Sequence, residues 1–172
     1  MDNKWITWIM LALLIGFSFS RKVKSGPELD IPAPMFKARL NDNSHFDLGK
    51  HKGKVIVLDF WATWCPPCRE SLPALSKVAA KYKDDSDVWI GSVNKESLSR
   101  PEMARWLARR KLSFPVIRDY KYTITRNYKV EALPTMVIIN PQGQIDHVEV
   151  GLVSRHVPTL VKHLSDLIEE AR

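Results

Sequence analysis

Residues 55–68 read VIVLDFWATWCPPC. The first half, Val55 to Trp61, is a nearly unbroken apolar run rich in β-branched residues, the pattern of a central strand buried on both faces. The second half changes character: Cys65 and Cys68 stand one helical turn apart with Pro66 and Pro67 between them. Prolines suit the first turn of a helix, where N–H groups have no internal partners and a fixed φ presets the backbone. The stretch therefore predicts a strand handing over to a helix from about Pro66 to Tyr82. Leu72, Leu75, Val78, Ala79 and Tyr82 form its apolar face, and Pro73 is expected to kink it.

The flanks extend this alternation. MFKARL and HFDL, either side of NDNS within residues 35–48, predict a β-hairpin. VWIGSV, from Val88 to Val93, reads as a second core strand. Ser99-Arg100-Pro101-Glu102 has the spacing of a capping box and opens a helix with Met103, Trp106 and Leu107 inward. FPVI (Phe114 to Ile117) is expected as a short strand and residues 121–129 as a short helix. TMVIIN after Pro134 reads as a strand, PQG as a turn and QIDHVEV as its antiparallel partner. Ser154 is expected to cap a last helix with Val157, Leu160, Val161, Leu164, Leu167 and Ile168 on one side. This order predicts an α/β fold with a central mixed β-sheet flanked by helices, an N-terminal β-hairpin and an extra βα insertion.

With 172 residues and 45% hydrophobic composition, the chain can fill one domain core. Before it, Trp5 to Ser20 carries no charge and, as a helix, would be about 24 Å long, fit for a signal peptide or a short signal anchor. Residues 1–20 are thus expected as that segment, 21–34 as a proline-bearing linker and 35–172 as the domain. Arg21, Lys22 and Lys24 follow the apolar run and only Lys4 precedes it, a bias that favours a cytoplasmic C-terminal side. The chemistry of the cysteine pair argues for export instead. The net charge of +7, with a local cluster at Arg105, Arg109, Arg110 and Lys111, suits a solvated helix face or an anionic partner. No nucleic-acid-binding motif is present, so no nucleic-acid partner is expected.

Two cysteines in a chain of this length do not make a disulfide scaffold, and a bridge across two residues removes little loop entropy. A zinc site needs further ligands, and His45, His51, His147, His156 and His163 offer no close second pair. The remaining reading is redox chemistry. At the start of a helix the unpaired N–H groups and their partial positive charge stabilise a thiolate, so the Cys65 thiol is expected to ionise readily. Cys68 is expected to be the less accessible of the two.

VLDFWATWCPPC, ALPTMVIINPQG and the strand–helix order together resemble the thioredoxin superfamily, and within it the TlpA/ResA-like branch of extracytoplasmic, membrane-anchored thiol-disulfide oxidoreductases. The resemblance covers about residues 30–172 and implies a thioredoxin-like fold. It implies that Cys65 is the nucleophile and Cys68 the resolving thiol. Pro134 would be cis and lie beside them, with the Leu133 backbone, Trp64 and Pro66 meeting the incoming peptide. Members of this branch often carry a glutamate three residues after the second cysteine. Here that place is taken by Ser71, while Asp59, inside the core strand, takes the place of thioredoxin's buried aspartate. A carboxylate there is expensive unless it has a task, so Asp59 is expected to supply the acid–base chemistry. The implied activity is reduction of disulfides in exported proteins such as apocytochrome c, without metal or organic cofactor, fed by a membrane dithiol donor of the DsbD/CcdA kind. A disulfide oxidase or isomerase would use the same atoms. A thiol peroxidase or a non-catalytic binding module are rivals from other classes.

Overall fold

The computed structural model describes residues 26–172; the segment read as a signal peptide or anchor lies outside the described residues. No helix among the described residues is long and apolar enough to cross a membrane.

β1 (Lys37–Arg39) and β2 (His45–Asp47) pair as the antiparallel hairpin, and Asp47 caps a 3-10 turn at Leu48–His51. β3 (Val55–Trp61) follows, with all seven residues buried. α1 (Pro66–Lys81) leads to β4 (Val88–Asn94), and α2 (Arg100–Arg109) begins at the Ser99–Glu102 capping box, formed in both directions. β5 (Val116–Arg118) and α3 (Thr123–Asn127) follow. β6 (Thr135–Ile139), β7 (Ile145–Val150) and α4 (Val157–Glu170) close the chain. The main sheet runs β5-β4-β3-β6-β7, with β3, β4 and β5 parallel and β6 and β7 antiparallel to their neighbours. This is a thioredoxin-like fold.

Alternation along β3 builds two cores. Val55, Val57 and Trp61 face one cluster with Cys65, Cys68, Leu72 and residues of α2 and α4. Ile56, Leu58 and Phe60 face the other, with Phe46 of the hairpin and Tyr128 after α3. Each large apolar side chain removed from water contributes about 1.5–3 kcal/mol, which is why the central strand tolerates a charge at only one place. α1 and α4 lie together on the first face. The Tyr82 hydroxyl donates to Glu169 at 2.7 Å and Lys81 Nζ to Ser165 Oγ at 3.0 Å. α1 continues through Pro73, which cannot donate to the Arg69 carbonyl.

Two local expectations move. The strand read at Phe114 begins at Val116, because Pro115 offers only its carbonyl, which accepts from Ser92 N at 2.9 Å. The last helix is capped at His156, not Ser154. Ser154 Oγ instead accepts from His156 N at 3.1 Å, closing a short turn before the helix starts. Residues 26–33, within the stretch read as linker, run along the β6–β7 turn. Asp30 N donates to the Ile145 carbonyl and Ile145 N to that of Ile31.

Candidate active site

Cys65 sits where the sequence places it, as the N-cap of α1, with Pro66 and Pro67 opening the helix. Since neither proline has an N–H, the first helical donor is that of Cys68, and it points at Cys65 Sγ at 3.2 Å. The two cysteines are joined in a disulfide. Cys65 is 3% exposed and Cys68 fully buried, so Cys65 is the more accessible residue of the pair. In the reduced pair a Cys65 thiolate would take the Cys68 N–H as a charge-assisted bond.

The loop before Cys65 is held by a residue that sequence patterning does not single out. The half-buried Glu96 carboxylate accepts from Thr63 N at 2.6 Å, Thr63 Oγ at 2.9 Å and Asn94 Nδ2 at 3.1 Å. Lys95 N donates to the Trp61 carbonyl at 3.1 Å. The end of β4 thus pins the end of β3 and fixes the approach to the disulfide. No spacing signal marks Glu96, since it meets Thr63 only once β3 and β4 are in register.

Asp59 is 6% exposed in the middle of β3. Its Oδ2 has no hydrogen-bond partner among the described residues. Burial pushes its carboxyl up to about 7, because the charged form loses its hydration with nothing in exchange. The acid therefore titrates near neutrality, where a proton acceptor is useful. Asp59 lines a mostly apolar cavity of about 40 Å³ together with Ser71, Pro134, Met136 and Glu149. That volume admits a water or two. Ser71, one turn after Cys68, donates its hydroxyl to the Cys68 carbonyl at 3.0 Å, so one residue of α1 both lines the cavity and bonds to Cys68's backbone. Glu70 does not line it; its carboxylate meets Arg155 Nε at 3.3 Å on the surface.

The Leu133–Pro134 peptide bond is cis. Pro134 is buried at the cavity, and Leu133 is half-buried against the cluster that contains both cysteines. Trp64 is 63% exposed and Pro66 is exposed, so both lie on the outer rim of the site and outside the cavity. The structure thus gathers Asp59 of β3, Ser71 of α1 and Pro134 around one cavity and leaves the Trp64 side chain exposed.

A family model described as Redoxin matches residues 29–164. The chain belongs to the redoxin family. Thioredoxin-like protein YneN of Bacillus subtilis (strain 168) is 30% identical to this redoxin over 90% of the chain and 94% of its own length. Thiol-disulfide oxidoreductase ResA of Halalkalibacterium halodurans is 28% identical over 98% of both. Among solved structures, one assigned as the thiol:disulfide interchange protein DsbE from Chlorobium tepidum superposes with a TM-score of 0.71 at 30% identity, covering 84% of this chain and 98% of that one. This redoxin is a ResA-like member of the thioredoxin superfamily and an oxidoreductase that acts on disulfides.

Proposed function

We propose that the chain is a reductase for disulfides in exported proteins, apocytochrome c among them, working outside the cytoplasmic membrane. The Cys65 thiolate attacks one sulfur of the partner disulfide, forming a mixed disulfide and expelling the other sulfur as a thiolate. Asp59, through water in its cavity, takes the proton of Cys68. The Cys68 sulfur then attacks Cys65 Sγ, and the partner leaves with its second sulfur reduced. The resulting Cys65–Cys68 disulfide returns to the dithiol by exchange with a membrane dithiol donor of the DsbD/CcdA kind. Pro134, Leu133, Trp64 and Pro66 receive the partner's chain beside Cys65.

The observation that carries this reading is the helix start at Cys65. Two prolines leave a single N–H aimed at its sulfur, while a carboxylate that titrates near neutrality lies below Cys68's helix. The thiol-disulfide oxidoreductase and thiol:disulfide interchange names of its relatives support exchange chemistry at this pair. The apolar run Trp5 to Ser20 supports a membrane-held, extracytoplasmic setting.

The deciding measurement is the midpoint potential of the Cys65–Cys68 couple. A value near that of thioredoxin, about −270 mV, is expected. One near about −120 mV, typical of a strong periplasmic oxidant, would reverse the proposed direction.

A further inference from the structure

The cavity that Asp59 lines contains a second carboxylate. Asp59 is registered opposite Met136 across β3 and β6, and Met136 opposite Glu149 across β6 and β7. Registered residues point to the same face, so Asp59 and Glu149 flank Met136 in one row two strands apart, about 10 Å between backbones. Both line the same cavity. Glu149 is in turn held by α4: His163 Nε2 lies 2.9 and 3.1 Å from its two carboxylate oxygens. The side chains of His163 and Glu149 are 33% and 20% exposed, so the pair sits between cavity and solvent.

The groups around Asp59 leave little else to set its charge. β4 places Ser92 opposite Asp59, α1 offers Ser71 and Leu75, and β6 offers Met136. α4 offers Leu160 and Leu164. Glu149 is the other titratable residue lining the cavity. Nearby charges on α4 and the loop before it are engaged elsewhere: Lys162 with Asp166 at 2.6 Å and Arg155 with Glu70. The ring of His156 meets Thr159 Oγ1.

We propose that the Glu149–His163 pair is the electrostatic control of Asp59, setting the pH at which Asp59 becomes able to accept the Cys68 proton. This rests on Asp59 acting as that acceptor. The signs follow from charge. An ionised Glu149 opposes ionisation of Asp59 and raises the pH at which it loses its proton. Positive charge on the His163 ring opposes that push. At about 10 Å and an effective dielectric near 20, one unit charge moves a neighbouring titration by about one pH unit. Glu149 and His163 are positioning residues here: neither touches the reacting sulfurs.

The test is a single-turnover experiment on the full chain. The reduced protein is mixed with Ellman's reagent in stopped flow, and resolution of the Cys65–thionitrobenzoate mixed disulfide by Cys68 is followed by absorbance from pH 5 to 9. The rate is expected to rise with pH at the Asp59 midpoint. Glu149→Gln should move that midpoint down by roughly half to one pH unit, and His163→Gln should move it up. A variant that only disturbs packing changes the plateau rate without opposite midpoint shifts. Glu170→Gln, exposed at the end of α4 and outside the cavity, should leave the profile in place. If Asp59→Asn removes the pH step but Glu149→Gln leaves the midpoint within about 0.2 units, this inference fails and the role of Asp59 stands. If Asp59→Asn leaves the step intact, the acceptor role fails and the control of it falls too.

Discussion

Thr63 and Glu96 meet twice: the Glu96 carboxylate takes the Thr63 backbone N–H at 2.6 Å and the Thr63 hydroxyl at 2.9 Å. Thr63 lies two residues before Cys65, in a loop that has left the sheet and not yet entered α1. Its conformation depends on this contact, because the loop has no ladder of its own. Glu96→Ala should lower stability by about 1–3 kcal/mol, the usual cost of orphaning hydrogen bonds to a charged group. Glu96→Gln keeps a carbonyl for the Thr63 N–H and an amide that the Thr63 hydroxyl can accept from, and should recover most of the loss. Urea denaturation checks both. An alanine variant as stable as the parent would mean that the loop holds itself.

Asp59 makes stability depend on pH in an unusual direction. Its carboxyl is pushed up to about 7 in the fold, against about 3.9 in an unfolded chain. Between these values the folded state keeps a proton that the unfolded state has released. Its contribution is therefore fully present below about pH 4, is lost as pH rises to about 7, and is flat above. The span corresponds to about 4 kcal/mol. Asp59→Asn carries no such charge. The difference in unfolding free energy between the variant and the parent should grow in the variant's favour from pH 4.5 to about 7 and level off above it. A difference that stays flat across that range would show that the ionised carboxylate is not desolvated.

The fold was legible where one signal sufficed. VIVLDFW could be placed on a central strand because every residue in it but Asp59 is apolar. Ser99 and Glu102 could be paired because a capping box is local. Cys65, Cys68 and Asp59 stood out for the same reason: each breaks the pattern of its own element. What stayed hidden depends on register. Simple alternation from buried Ile145 would set Val148 on the opposite face, yet both pack in the same core. A bulge between Ile138 and Ile139 inserts a residue in β7 and resets the alternation, turning Glu149 toward Asp59. Gly151, at φ 93°, then turns the chain over the cavity in a conformation that other residues rarely adopt. No spacing in the sequence announces either event.

The two tryptophans of WATW should behave oppositely. Trp61 is fully buried, donates its indole N–H to Ser92 Oγ at 3.0 Å and stacks 4.8 Å from Trp106. Trp61→Ala should cost about 3–5 kcal/mol. Trp64 is 63% exposed, so Trp64→Ala should change stability by less than about 0.5 kcal/mol. Its loss is expected to slow exchange with a protein disulfide several-fold while sparing exchange with oxidised glutathione, which is too small to use the rim. Equal slowing with both substrates would place Trp64 in the chemistry and not in partner contact.

The division of labour between the sulfurs predicts what a resolving mutant accumulates. Cys65 is the cysteine with any exposure, and Cys68, in α1's first turn, is fully buried. In the proposed mechanism attack on a partner begins at Cys65 and release comes from Cys68. Cys68→Ser removes the second step and keeps the first, since the Cys68 N–H that faces Cys65 Sγ belongs to the backbone and survives the change. Cells expressing Cys68→Ser should hold partner proteins on Cys65 as adducts that dithiothreitol releases, and the doubly substituted Cys65→Ser, Cys68→Ser chain should hold none. Identifying the adducts by mass spectrometry checks the substrate class in the same experiment. Exported proteins with paired cysteines are expected. If Cys68→Ser traps no more than the double variant, exchange through Cys65 is not what this site does.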